Sequence, residues 1–171
     1  MLTLHTKLAR ADVIDDTLVL DYDRREKCRL RVRLASGADA ALFMVRGTVL
    51  RDGDLLTGPD NKVVQVVAAR EATYAIRCAD ALTLVRCAYH LGNRHTPIAI
   101  APDLLRIRVD TVLREMVEGL GAVVTEEDAP FEPEQGAYSG GGHHHGEPGG
   151  RSGLLAPVPL RQKIHRPGDA P

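Results

Sequence analysis

The sequence predicts an α+β protein in which a small all-β domain precedes a mixed domain and a Gly/His-containing tail. Three features carry this reading. Residues 27–34 alternate strictly between charged and apolar. Two apolar stripes at helical spacing each follow an aspartate, Asp80 and Asp110. Residues 136–153 are dominated by glycine with Ser, Pro and His.

Residues 1–72 read as β-rich. Thr17–Leu20 is a short strand candidate. In the run to Leu34, Lys27, Arg29, Arg31 and Arg33 point one way and Cys28, Leu30, Val32 and Leu34 the other. A period of two with one apolar face describes a half-buried antiparallel strand. Ser36-Gly37 turns the chain and Ala40–Met44 returns beside it. Asp52-Gly53-Asp54 and Gly58-Pro59-Asp60-Asn61 are turns, and Lys62–Ala69 is a further strand. Several short strands joined by tight turns predict a small sandwich or barrel-like unit.

Residues 73–135 change pattern. Thr73–Cys78 is a strand candidate, and Asp80 caps a helix whose stripe is Ala81, Leu84, Val85, Ala88 and Leu91. Gly92-Asn93 ends it, and Pro97 resets the chain to extended geometry. Ile98–Ala101 and Leu104–Val109 are short strands. Asp110 or Thr111 caps a second helix with Val112, Leu113, Met116, Val117 and Leu120 on its apolar face. Gly121 stops it, and Ala122–Thr125 is the last strand. The order β-α-β-β-α-β is the ferredoxin-like split βαβ pattern. Order is expected to fade beyond Ala129, because the prolines at 130 and 133 block regular structure. Residues 136–171 cannot bury enough apolar surface to offset their ordering entropy and are expected to form a flexible tail.

The 171 residues carry a net charge of −1, with 22 Lys and Arg against 23 Asp and Glu, and no Trp. Such a balance does not favour nucleic-acid binding. No segment approaches the roughly 18 apolar residues of a membrane span, and no secretory signal is visible. The expected location is therefore cytoplasmic. Cys28, Cys78 and Cys87 show no CxxC spacing. In a reducing compartment they read as buried thiols, with redox or metal duty as the alternative.

The tail histidines carry the clearest chemistry. His143, His144 and His145 lie between glycines, with Glu147 close by and His165 further on. Neutral imidazole is a borderline donor suited to Ni(II), Zn(II) and Cu(II), and flanking glycines let alternate rings converge on one ion. A purification tag or a neutral low-complexity run is the bland alternative. His90 and His95 are separated by five positions across a glycine, which is not a helix ligand spacing; capping or hydrogen bonding competes with metal ligation there. Asp110, Glu115 and Glu118 read as a cap and a solvated face. No HExxH, GxSxG or Walker loop is present, which argues against an enzyme.

The stretch Cys87-Ala-Tyr-His-Leu-Gly-Asn-Arg-His-Thr-Pro97 resembles the signature of the UreE family of urease accessory proteins, which deliver nickel. Leu42-Phe-Met-Val-Arg-Gly-Thr-Val-Leu-Arg-Asp-Gly-Asp-Leu55 upstream is similar to the family's N-terminal domain. Asp110-Thr-Val-Leu-Arg-Glu-Met116, Gly119-Leu-Gly121 and Pro130-Phe-Glu-Pro-Glu-Gln-Gly-Ala-Tyr138 match downstream. The resemblance implies that residues 1–72 bind a peptide or partner, that residues 73–135 bind metal and form a homodimer, and that residues 136–171 add metal ligands. It makes His95 the principal ligand, one from each subunit at the two-fold axis. A second His-x-His pair found in some members falls here on Val109 and Thr111, so that extra site is expected to be missing. The implied function is delivery of Ni(II) to the urease activation complex through an accessory GTPase, with Zn(II) or Cu(II) able to take the same site. A metal-bridged tetramer is a further expectation, and passive Ni/Zn storage the alternative.

Overall fold

The computed structural model describes residues 1–135. In chain order its elements are β1 (Leu2–Leu4), β2 (Thr6–Leu8), β3 (Asp16–Leu20), α1 (Tyr22–Arg25), β4 (Arg29–Arg33), β5 (Asp39–Phe43), β6 (Leu55–Thr57), β7 (Val64–Ala68) and β8 (Arg70–Arg77). There follow α2 (Ala81–Gly92), β9 (Ala99–Ala101), β10 (Leu104–Arg108), α3 (Thr111–Gly119) and β11 (Val123–Pro130). The architecture is mixed α+β, with a β-rich first half.

Strict alternation produces β4 as expected: Arg29, Arg31 and Arg33 are exposed while Val32 is buried. Gly37, at φ +86°, supplies the left-handed turn that returns β5 antiparallel to it. β1 then pairs parallel to β5, giving the sheet order β1-β5-β4. A second sheet runs β2-β6-β7-β3, with β3 parallel to β7. The chain crosses between these sheets at His5, whose N–H donates to the Thr57 carbonyl at 3.0 Å. Gly58 permits this approach, because a Cβ there would lie 1.7 Å from the Thr3 carbonyl oxygen. The two sheets share one apolar core of Leu4, Leu18, Leu20, Leu42, Leu56 and Val66, among others.

The second half forms a four-stranded antiparallel sheet in the order β11-β8-β10-β9. Tyr74 and Ile76 of β8 and Leu105 and Ile107 of β10 alternate onto one face, where α2 and α3 cover them. Asp80 caps α2, accepting the Thr83 N–H at 2.9 Å, and the Thr83 hydrogen bonds hold its carboxyl below the ordinary carboxylate range. Asp110 caps α3 through Leu113 N–H at 3.0 Å. The buried stripes are narrower than the sequence suggests. Cys87 and Leu91 centre the buried face of α2, flanked by Leu84 and Ala88, while Val85 is 63% exposed. On α3, Leu113 and Val117 are buried and Val112 is 70% exposed. A two-helix layer covers only about a third of each helix circumference, so outlying apolar positions stay in solvent.

The largest departure from expectation lies at the end of the described chain. β11 continues to Pro130, on the edge of its sheet, where the missing N–H is tolerated. Phe131 follows and is completely buried, its ring edge-on to Tyr22 at 5.5 Å. Arg25, also completely buried, donates to the Glu132 carboxylate, the Phe131 carbonyl and the Leu50 carbonyl. Arg51 joins Glu132 at 3.1 Å. Beyond Pro130 the ladder stops but order does not, since side chains satisfy the carbonyls of Phe131 and Pro133 instead. Burial and the Glu26 contact push the neighbouring Tyr22 phenol up to about 12.

Arg25→Ala should therefore destabilise the fold by about 3 kcal/mol, because it opens a buried cavity, strands the Leu50 and Phe131 carbonyls and leaves Glu132 with Arg51 as its one ion-pair partner among the described residues. Urea unfolding of the two proteins measures this; a loss under about 1 kcal/mol would mean the pin is not structural.

Candidate metal centre

Helix α2 ends at Gly92-Asn93, as the sequence suggests. Asn93 is the C-cap and keeps right-handed geometry at φ −63°. The N–H groups of Asn93, Arg94 and His95 donate in turn to the carbonyls of Tyr89, Leu91 and Gly92, at 3.0, 3.0 and 2.9 Å. The Arg94 guanidinium donates to the His90 carbonyl at 3.0 Å, satisfying one of the open acceptors at the helix end. The reversal falls on His95, which has φ +54°. The reason is local. Pro97 requires Thr96 to be extended, and Arg94 is still held by the helix, so the one residue between them absorbs the change of direction. Left-handed geometry at a residue with a Cβ costs about 1–2 kcal/mol.

His95 is exposed, and its imidazole has no hydrogen-bond or ion-pair partner among the described residues. His90 is half-buried on the last turn, edge-on to Tyr89 at 5.3 Å. There it complements the negative end of the helix dipole. His5 is engaged with the Thr6 hydroxyl at 2.8 Å. Among the described residues no three His, Cys, Asp or Glu side chains converge to hold a metal ion. The described residues therefore bring a single exposed, unpartnered imidazole to this corner, short of the ligand number Ni(II) takes. His143, His144, His145 and His165 lie outside the described residues.

Beside His95 is a shallow recess of about 380 Å³ whose lining includes Thr96, Pro97, Val109 and Asp110. Val109 and Thr111 bring no imidazole to it, and the Asp110 carboxylate is engaged in capping α3. The helix leading to His95 also exposes Leu82, Val85 and Tyr89, at 60, 63 and 64%. Their i, i+3, i+7 spacing makes one continuous apolar stripe opposite the buried face. That spacing is visible in the sequence, but two apolar stripes on one helix blur each other, and Val85 was assigned to the wrong one. No helix among the described residues is long and apolar enough to cross a membrane.

Two family models match the chain. Residues 2–69 match the N-terminal domain of the UreE urease accessory protein, and residues 71–153 match its C-terminal domain. The urease accessory protein UreE of Nitrosospira multiformis is 59% identical over 174 residues, covering 100% of this chain and 99% of that protein. The one from Janthinobacterium sp. is 60% identical over 176 residues, covering 99% and 98%. The one from Burkholderia thailandensis is 52% identical over 143 residues, covering 83% of this chain and 67% of its own length.

If His95 absorbs backbone strain, His95→Gly should relieve it. The substituted protein is expected to gain about 1 kcal/mol of stability in urea, against the usual penalty for introducing glycine. A loss of stability would show that the imidazole is held by packing.

Proposed function

The chain belongs to the UreE urease accessory protein family, and from that premise we propose that it carries Ni(II) and delivers it to the urease activation complex, with an accessory GTPase as receiving partner. It is an accessory protein and not an enzyme. The observation that carries the reading is the corner at His95: an exposed, unpartnered imidazole on a backbone turn locked by its own helix. Nickel is cargo here. It must be held by enough ligands to be escorted and by few enough to be released.

A homodimer completes the arrangement. A two-fold axis near His95 doubles the single imidazole without a second motif in the chain. The stripe of Leu82, Val85 and Tyr89 supports this, because an apolar face on the helix that ends at His95 is suited to packing against its own copy. We read the order β11-β8-β10-β9, with α2 and α3 on one face, as the ferredoxin-like domain of residues 73–135, and residues 1–72 as a partner-binding domain. His143, His144, His145 and His165 of the tail, residues 136–171, supply further nitrogen ligands to the same ion. Imidazole accepts Zn(II) and Cu(II) as well, so these compete for the site. Shared tail ligands between two dimers would give a metal-bridged tetramer.

Calorimetric titration of Ni(II) into the full chain and into His95→Ala tests the site; affinity is expected to fall at least tenfold, and unchanged affinity and stoichiometry would overturn it. Deletion of residues 139–171 should lower the number or affinity of bound ions and leave the dimer intact. Val85→Glu places a charge in the proposed seam and should shift the protein to monomer by light scattering. A Ni(II)-dependent pull-down of the accessory GTPase separates delivery from passive storage, which predicts the same metal binding with no captured partner.

A further inference from the structure

Two of the three cysteines meet in the second half of the molecule. Cys78 follows β8 directly, and Cys87 lies in the second turn of α2; their sulfur atoms are 3.9 Å apart. Cys87 is completely buried among Leu91, Ile76 and their neighbours, whereas Cys78 is only half-buried at the margin of the same core. Cys28 belongs to neither apolar core and precedes β4 in another sheet. The pair is thus asymmetric: one cysteine is partly exposed and the other fully buried.

We propose that Cys78 and Cys87 form a reversible dithiol–disulfide site, with Cys78 as the attacking sulfur, Cys87 as the resolving sulfur and a small hydroperoxide as oxidant. Cys78 attacks the peroxide oxygen. The O–O bond breaks, the sulfur is oxidised to sulfenic acid and the peroxide leaves as an alcohol or water. Cys87 then attacks the sulfenic sulfur: the S–S bond forms, the S–O bond breaks, and the hydroxyl leaves as water with the Cys87 proton. The sum is two thiols and one hydroperoxide giving one disulfide, one alcohol and one water. Thiol reductants reverse it by exchange.

Burial and the adjacent Cys78 push the Cys87 thiol up to about 11. Burial thus disfavours the Cys87 thiolate, and the partial exposure of Cys78 makes it the cysteine that an oxidant meets first. The sulfurs need to close by roughly 2 Å to reach bonding distance, a movement that the short connection from β8 through Asp80 to α2 absorbs. The product staples the strand end to the helix that carries His95, across the loop between them. It differs from metal chemistry at His95 and does not depend on it.

The test is treatment of the metal-free full chain with hydrogen peroxide, followed by intact-mass measurement and non-reducing peptide mapping. The expected result is a mass loss of about 2 Da, reversed by dithiothreitol, with the peptides of residues 78 and 87 joined and Cys28 still free to alkylate. The oxidised protein should melt about 5 °C higher than the reduced form. In Cys87→Ser, Cys78 has no resolving partner and should gain about 32 Da as sulfinic acid. In Cys78→Ser, Cys87 should stay unmodified. Persistence of three thiols, direct passage of Cys78 to sulfinic acid in the unsubstituted chain, or a disulfide involving Cys28 would each overturn the proposal.

Discussion

A buried guanidinium organises this molecule. An unpaired charge in an apolar interior is costly, so Arg25 constrains everything that meets it. It sits in α1, yet its partner Glu132 is 107 positions further along. Phe131 must bring its carbonyl, Leu50 must bring another, and Tyr22 and Phe131 must pack around them. The constraint extends to the corner at His95. Two residues beyond Glu132, the Glu134 N–H donates to the Ile98 carbonyl at 2.8 Å, and Ile98 is three residues after His95. The position of His95 is thus tied by short contacts to a pin in the first half of the chain. On the proposed reading His95 is a ligand presented on a turn rather than on a regular element, and such a ligand needs this support if its direction is to stay fixed.

On the proposed reading the same economy explains why the site is incomplete within one chain. Among the described residues the imidazole of His95 has no partner, no three His, Cys, Asp or Glu side chains converge to hold a metal ion, and Asp110 is engaged at a helix cap. A fully enclosed site would trap its ion. An anchor of two related imidazoles, completed by ligands from elsewhere, allows stepwise exchange with a recipient's own ligands.

Much of this was legible in the residues. The alternation of β4, the aspartate caps of α2 and α3, the glycine turns and the order of elements after residue 70 follow from local rules that tertiary packing did not override. The short strands β1, β2 and β6 were not legible, because three residues cannot display a period. Nor was the role of Pro130–Pro133: two prolines rightly exclude a continuing ladder, but the sequence does not reveal that Arg25 waits to satisfy that backbone. Proximity of Cys78 and Cys87 was hidden for the same reason, since nine positions across a strand end and a helix say nothing of sulfur distance. His95 was singled out by family resemblance and not by spacing. Its strained backbone follows from Pro97, a signal present in the sequence but read only as a boundary.

The first eight residues lace two sheets together, with β1 beside β5 in one and β2 beside β6 in the other, while β3 waits for β7. None of these pairings is local. During synthesis the leading strands can find no partner until residues 39–43 and then 55–68 have left the ribosome. At about 5–20 residues per second that leaves the emerging chain open for about 3–12 s. Through that interval Leu2, Leu4, Leu18 and Leu20 are in water on unpaired backbone. The pairings β4–β5 and β6–β7 are local, whereas those of β1, β2 and β3 wait on distant residues, which slows closure. The pace of translation over the codons for residues 2–68 therefore sets how long these strand edges stay unpaired.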